Sequence, residues 1–354
     1  MSNRRVLVTG AAGFIGSHVS ELLLRQGDHV VGLDNVNDYY SPERKQSNLA
    51  EVKLSPGAER FAFVEGDIRD KALLDNLFRS QSFDAVIHLA AMPGVRASVD
   101  NPGLYYDVNL TGTLQLLEQV KAAGDGAGKR SPHFVFASTS SAYGNTERIP
   151  FHESDTADRP LAPYPASKRS CELLGHAYHN MHGVDFTALR FFTVYGPRGR
   201  PDMMAYKVLD SIRTGKEVPL YRGGNMWRDW TAVSDIADGV VLASKRRLGY
   251  RVLNLGRGEP VRLSAFIREL ERLAGKRAKF VDRPMPAADV VRTFADISAA
   301  RELIGYAPKL KVSAGAKRMF EWYSHCIGDV RPRAGQPQPR PAPQLLVPQA
   351  ISPR

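Results

Sequence analysis

The run RRVLVT leads straight into GAAGFIGSH, which sets Gly10, Gly13 and Gly16 at three-residue intervals on the turn from a first strand into a first helix. Few features limit a fold more tightly. Glycines at such a turn let backbone N–H groups approach a pyrophosphate, and the helix opening there offers unpaired donors with a partial positive charge. The spacing is GxxGxxG rather than the commoner GxGxxG, and it puts Phe14 and Ile15 in the first helical turn beside the same ligand.

The chain beyond this turn alternates short β-branched runs with amphipathic stretches. HVVGLD, RFAFVEGD, AVIHLAA and HFVFAST read as strands, separated by SHVSELLLRQG, KALLDNLFRS and a helix near Asn109 to Lys121. Strands separated by helices imply a parallel sheet covered on both faces, the doubly wound α/β (Rossmann) class. GDGAGKRSP is a loop by composition. From about Arg198 the pattern turns irregular, with strand-like EVPLY and VLNLG, the helix SAFIRELERLAG and a late helix from Val312 to Tyr323. The expected division is a cofactor domain over 1–195, with part of 230–260 returning to it, and a smaller C-terminal substrate domain over 196–328. Residues 329–354 are rich in Pro and Arg without apolar periodicity, and a disordered tail is expected there. No internal repeat is visible.

Composition narrows the setting. The formal charge of +11 favours an anionic ligand, a nucleotide diphosphate or a nucleic acid, and charge alone does not choose. Part of the excess lies in Arg331, Arg333, Arg340 and Arg354, and the basic residues lack the aromatic interleaving of a nucleic-acid surface, so no nucleic-acid partner is expected. The longest apolar runs, such as AVIHLAAM, fall far short of the roughly 20 residues that span a bilayer, and MSNRR passes directly into a strand. Cys171 and Cys326 are too few for a disulfide framework or a zinc site. A cytoplasmic protein without metal or membrane partner is expected.

Asp34 closes the second strand where an acid accepts hydrogen bonds from the adenosine ribose, and its charge repels a 2′-phosphate, which favours NAD over NADP. Arg44 and Lys45 follow in a polar loop and offer the opposite reading, a 2′-phosphate site. Asn35 adjoins Asp34, and Asp67 and Ile68 close the next strand, flanking the adenine. Leu89, Ala90 and Ala91 line the following crossover, with ordinary sheet packing as the alternative. Tyr164 and Lys168, in APYPASKRSC, lie one helical turn apart on one face, and Pro165 is tolerated in the first turn. A phenol with a free pKa of about 10 is a poor base at neutral pH, but a neighbouring ammonium and a positive nicotinamide favour the phenolate. Such a tyrosine can take a proton from a hydroxyl while the carbon beneath is oxidised. Position alone does not separate the adjacent hydroxyls of Ser138, Thr139, Ser140 and Ser141 as its partner.

These features resemble the extended short-chain dehydrogenases/reductases, and within them the UDP-glucuronate 4-epimerases. The resemblance runs from about Arg4 to Tyr323 and rests on LDNVNDYYSPERK, AAMPGVRASVDNP, FASTSSAYG and above all RFFTVYGPRGRPDMM. It implies Thr139, Tyr164 and Lys168 as the catalytic set, with Lys168 and Phe191 also at the NAD. It places Arg96, Ser140, Ser141, Thr193 and Arg200 at the sugar nucleotide, with Arg198 as a rival to Arg200 for a substrate carboxylate. WRDWTAVSDIADGV implies Arg228 on the diphosphate with Asp229 as its support, and Asp289 matches a uridine-ribose acid. Pro286-Ala287-Ala288 stands where the family has Gln-Pro-Gly, and Met92-Pro93 where it has Gln-Ala. The implied cycle is oxidation at C4, rotation of the 4-keto sugar and reduction from the other face, so that NAD stays bound and is regenerated each turn; a homodimer is the family's expected assembly. The rivals are a UDP-hexose or UDP-N-acetylhexosamine 4-epimerase, a UDP-glucuronate decarboxylase, a 4,6-dehydratase and, from another class, a non-catalytic NAD-binding or RNA-binding member of the fold. A dehydratase carries an Asp-Glu pair after the threonine, where this chain has Ser140-Ser141.

Overall fold

In the first strand, β1 (Arg5–Thr9), Val6 and Val8 enter the apolar cluster on one face of the sheet and Leu7 the cluster on the other. Both faces are therefore buried, as a parallel sheet requires. The computed structural model describes residues 3–124 and 130–328. The tail expected at 329–354 and the centre of the GDGAGKRSP loop lie outside the described residues.

From β1 the chain runs through α1 (Phe14–Arg25), β2 (His29–Asp34), α2 (Pro42–Leu54), β3 (Phe61–Glu65), α3 (Lys71–Ser80) and β4 (Ala85–His88). Two short helices, α4 (Ala97–Asp100) and α5 (Pro102–Tyr105), precede α6 (Gly112–Gly124), β5 (His133–Thr139), α7 (Pro163–His182), β6 (Phe186–Phe191) and β7 (Thr193–Tyr195). Then come α8 (Met204–Thr214), β8 (Glu217–Tyr221), β9 (Trp227–Ala232), α9 (Val233–Ser244), β10 (Tyr250–Leu255) and β11 (Pro260–Arg262). The last elements are α10 (Leu263–Ala274), β12 (Lys279–Arg283), α11 (Ser298–Ile304) and α12 (Val312–Cys326).

Seven strands form one parallel sheet in the order β3-β2-β1-β4-β5-β6-β10. This is the doubly wound Rossmann class that the alternation of strands and helices predicts. The order reverses beside β1, so the carboxyl ends of β1 and β4 open a crevice suited to a dinucleotide. Residues of α1 and α9 fill one face and residues of α3, α6 and α7 the other. A third apolar cluster joins α8, α10 and α12 over the small sheet β11-β9-β7, with Trp230 stacked on Phe266 at 4.1 Å between ring centroids. β12 pairs with β8 in a two-stranded sheet.

The helix expected from Asn109 instead begins as a π-helical segment over Tyr106–Thr111 and becomes α-helical at Gly112. The buried Asn109 side chain explains the departure. Its Oδ1 accepts from the Met92 N–H at 2.8 Å, and its Nδ2 donates to the Met92 carbonyl at 3.1 Å and the Ser167 hydroxyl at 3.0 Å. Bonding outward to two other segments fixes that turn in the wider winding that often marks functional sites. Among the described residues no helix is long and apolar enough to cross a membrane, and no cluster of His, Cys, Asp or Glu could hold a metal ion.

Candidate active site

The glycine turn shapes a cleft of about 1060 Å³, counted to its open mouth, at the carboxyl edge of the sheet. Gly10 has φ +71°, and a Cβ there would stand 2.7 Å from the Ala90 nitrogen; one on Gly16 would stand 2.0 Å from the Gly10 carbonyl oxygen. Only glycine lets β1, the loop after β4 and α1 approach this closely. No side chain caps α1, so the donors of its first turn, at Phe14, Ile15 and Gly16, are left for whatever fills the cleft. Asp34 is buried beside them. Its carboxylate accepts from the Ala12 N–H at 3.0 Å and the Val36 N–H at 2.9 Å, and burial raises its pKa. A carboxylate offers about four acceptor sites, so two remain for a ribose diol.

Asn35 lines the cleft and donates to Asp67 at 2.9 Å, and Asp67 is held at a pKa of about 2 chiefly by its hydrogen bonds with Arg69. Gly13, Ile68, Leu89, Ala90, Ala91, Lys168 and Phe191 border the same space. A dinucleotide therefore fits the cleft, with glycine-turn donors for its diphosphate and Asp34 for its ribose. Lys45 also lines it, donating to Asn37 at 2.7 Å and lying over the Tyr40 ring. Arg44 does not; its guanidinium turns toward Tyr206, 5.8 Å from the ring centroid.

The expected catalytic groups lie at or beside the same cleft, which Ser138, Tyr164, Lys168 and Arg200 border and Thr139 adjoins. Thr139 ends β5, Tyr164 and Lys168 project from the first turns of α7, and Arg200 comes from the loop between β7 and α8. Tyr164 packs edge-on against Tyr105 at 6.2 Å, and its hydroxyl is hydrogen-bonded to Thr139. Burial raises the phenol's pKa, while the Arg200 charge and the Thr139 bond pull it down. This departs from the expectation that Lys168 supplies that field. The Lys168 ammonium sits over the Phe136 ring, 4.6 Å from its centroid, and burial draws its pKa down to about 8. Arg200 borders the cleft with Tyr164 and its charge favours the phenolate; its guanidinium is oriented by Asp202 at 3.0 and 3.3 Å.

Three other expected substrate residues gather at an outer site. Arg96 pairs with Asp289, donates to the Tyr221 hydroxyl at 3.2 Å and covers that ring. Arg228 donates to the carbonyls of Trp227 at 2.8 Å and Val291 at 3.2 Å, and burial, more than the charge of Arg96, lowers its pKa. Asp289 is thus an ion-pair partner of Arg96 through Oδ2, with acceptor capacity remaining. Asp229 does not support Arg228. Neighbours along a strand point to opposite faces, and the Asp229 carboxylate accepts from the N–H groups of Arg257, Gly258 and Ala295 at 2.6, 2.9 and 3.1 Å. Ser140 and Ser141 lie in the 3₁₀ turn after Thr139, whose Oγ1 accepts from the Ser141 N–H; Thr193 opens β7 opposite Trp230.

Two buried systems behind the cleft escaped the sequence. His88, at the end of β4, contacts Thr9 Oγ1 through Nδ1 at 2.7 Å and Thr113 Oγ1 through Nε2 at 3.0 Å. Thr113 gives its proton to the Asn109 carbonyl, so Nε2 must donate and Nδ1 accept. Burial holds the ring neutral. In the second system Arg190 on β6 forms a two-point pair with Glu172 on α7 at 2.9 and 2.7 Å. Ser138 and Arg169 also donate to Glu172. This joins the helix carrying Tyr164 to β5, which carries Thr139, and to its neighbour β6. A lone histidine in an apolar strand and a glutamate one turn beyond Lys168 were the only signals available.

Residues 6–256 match the model of the NAD dependent epimerase/dehydratase family. The chain belongs to this family. The chain is 44% identical over 317 residues to a UDP-glucuronate 4-epimerase of Thermodesulfobacterium geofontis, covering 89% of this chain and 95% of that one. It is 41% identical to UDP-glucuronate 4-epimerase 4 of Arabidopsis thaliana, over 93% and 77% of the two chains. Among solved structures, a UDP-glucuronic acid 4-epimerase from Bacillus cereus, in complex with UDP-glucuronic acid and NAD, superposes with a TM-score of 0.82 at 34% identity, covering 91% of this chain and 99% of that one. A dTDP-glucose 4,6-dehydratase from Streptomyces venezuelae reaches the same TM-score at 29% identity, over 92% and 98%. Overall shape does not separate the reactions of this family; the residues at the cleft must.

Proposed function

We propose that this member of the family is an NAD-dependent UDP-glucuronate 4-epimerase, interconverting UDP-glucuronate and UDP-galacturonate through a transient 4-keto sugar. The observation that carries the reading is Arg200, a cation in the cleft close enough to act on Tyr164. A guanidinium there suits a substrate with a carboxylate one carbon beyond the ring, because it can grip both oxygens through parallel bonds. Ser140-Ser141 after Thr139 speaks against dehydration, which needs an acid and a base at that place. The reading assigns the cofactor to residues 1–195 with the returning segment near 230–260, and the sugar nucleotide to 196–328. Leu173 and Met181, exposed on α7, support the homodimer that goes with it.

In this mechanism bound NAD supplies the oxidation and re-reduction at C4. Tyr164 takes the proton of the C4 hydroxyl and returns it to the C4 oxygen after the sugar has turned its opposite face to the cofactor. Thr139 orients the hydroxyl through its bond to the phenol. Arg200 favours the phenolate electrostatically and holds the substrate carboxylate. That hold has a second effect. The 4-keto intermediate is a β-keto acid, and its C5–C6 bond breaks, releasing carbon dioxide and leaving its electron pair in the C4 carbonyl system, when the bond aligns with the carbonyl π orbitals. Ser140, Ser141, Thr193 and Arg200 would keep it out of alignment, and Arg228 with Arg96 would hold the diphosphate while the sugar rotates.

The direct test is incubation of purified protein with UDP-glucuronate and no added NAD, followed by NMR of the sugar. UDP-galacturonate is the expected product. UDP-pentose alone, or turnover of UDP-glucose or UDP-N-acetylglucosamine with none of UDP-glucuronate, would overturn the reading. The role of Asp34 is tested separately: Asp34→Asn should weaken NAD retention about tenfold, the worth of one or two hydrogen bonds to a charged acceptor. Gel filtration followed by absorbance of released nucleotide measures this, and full retention would remove Asp34 from the cofactor site.

A further inference from the structure

The loop that carries Arg200, residues 196–203, runs between two cavities, with Met203 at its end packed against the apolar core. On one side lies the cofactor cleft, bordered by Arg200; on the other, Arg198 and Gly199 border a second cavity of about 880 Å³, counted to its mouth, between α2 and α12. A segment between two cavities keeps its place through point anchors. Three are present. His18 on α1 is hydrogen-bonded through Nε2 to the Pro197 carbonyl at 3.1 Å, the Tyr206 hydroxyl donates to the Gly196 carbonyl at 2.8 Å and accepts from the Gly199 N–H at 2.9 Å, and Arg198 forms an ion cluster.

The Arg198 cluster is the strongest of the three. Its guanidinium is buried and reaches Glu21 on α1 through Nη2 at 2.6 Å and Glu51 on α2 through Nε at 2.8 Å and Nη2 at 2.5 Å. It therefore ties the loop to the first helix of the cofactor cradle and to the next one. Its backbone has φ +62°, a left-handed conformation costly for a side chain with a Cβ and maintained only where the surroundings over-determine it. That turn sends Arg198 toward the helices and leaves Arg200, two residues on, in the reaction cleft.

We propose that Arg198, through its ion cluster with Glu21 and Glu51, is a positioning residue that sets Arg200 against the substrate carboxylate and so governs how completely the 4-keto sugar is spared from decarboxylation. The inference rests on the reading of Arg200 given above. A guanidinium displaced by about an ångström still neutralises charge but no longer fixes the C5–C6 bond, since bidentate recognition depends on geometry. Loosening Arg198 then weakens recognition of the carboxylate while the nucleotide part of the substrate binds as before.

The test compares Arg198→Gln, the milder Glu51→Gln, which keeps the proposal falsifiable should the first fail to fold, Arg198→Lys as a partial rescue, and Arg200→Lys as reference. Calorimetry gives affinity for UDP-glucuronate and for UDP alone, and NMR gives the ratio of UDP-pentose to UDP-galacturonate formed. In Arg198→Gln the affinity for UDP-glucuronate should fall about tenfold, the worth of a charge-assisted hydrogen bond, with UDP binding unchanged and the pentose share raised. Arg198→Lys and Glu51→Gln should lie between it and the parent. Equal weakening of UDP and UDP-glucuronate without pentose would show a merely structural role and overturn the proposal. If Arg200→Lys raises pentose and the Arg198 and Glu51 variants do not, the positioning role falls and the carboxylate reading stands. If Arg200→Lys changes neither quantity, both fall.

Discussion

Tyr164→Phe should lower turnover by about three orders of magnitude, within the range that a positioned acid–base group contributes, while leaving UDP-sugar binding and NAD retention close to the parent's. The phenyl ring keeps its edge-on contact with Tyr105, so the substitution removes a proton carrier without opening a cavity. Residual activity should lose the acid limb of its pH profile, because that limb reports the phenol's ionisation. Without cofactor, burial outweighs the opposing pull of Arg200 and Thr139 and keeps the phenol above its ordinary value, so the parental limb should move down when NAD is bound, because the positive nicotinamide favours the phenolate. Single-turnover measurement of the absorbance change at C4 oxidation is the check. A variant within a few-fold of the parent would mean that another group carries the proton.

The largest effect on stability is expected at Glu172, which touches no substrate. Its side chain is 0% exposed and that of Arg190 2%, and the pair is closed on both sides by Ser138 and Arg169. Glu172→Ala leaves the Arg190 charge buried without its partner, which costs about 3–5 kcal/mol. Replacing both by apolar residues of similar volume, Glu172→Leu with Arg190→Met, should recover most of that loss, because a buried pair is itself close to neutral against a well-packed apolar alternative. Denaturant unfolding of the two variants beside the parent decides the matter. If the single variant costs no more than a surface substitution, the pair contributes nothing to holding α7 against β5 and β6.

The glycine turn, Asp34 and the Tyr164–Lys168 spacing are legible in the sequence because each is a local demand. A close backbone approach needs glycine, a strand end needs a carboxylate, and one helix face needs a four-residue interval. What was illegible depends on distant residues. Arg198 and Arg200 are indistinguishable as letters; what separates them is a left-handed turn at Arg198 and two glutamates far earlier in the chain. Likewise Glu172 gives no sign of Arg190, which arrives on the following strand. Asp229 was legible and misread, since the alternation of a strand already forbids it the side of Arg228. The π-helical start at Asn109 was hidden for a further reason: it spans only Tyr106–Thr111, too short a stretch for its wider winding to show in an apolar period, and the bonds of Asn109 to Met92 and Ser167 reach segments distant in sequence.

The strand order carries a consequence for how the chain is made. The edge of the large sheet beyond β6 is closed by β10, and the residues between them build the small sheet β7 and β9 and the helices α8 and α9. As the polypeptide leaves the ribosome, β6 emerges long before its outer neighbour, with its row of backbone donors and acceptors on that side unpaired. Every residue of β6 is buried in the finished protein, so during this interval it offers a nearly ideal template for another nascent strand. Synthesis must pass Leu255 before that edge is sealed. The cofactor half is thus first in sequence but cannot be finished first, and folding of the two halves is coupled in time.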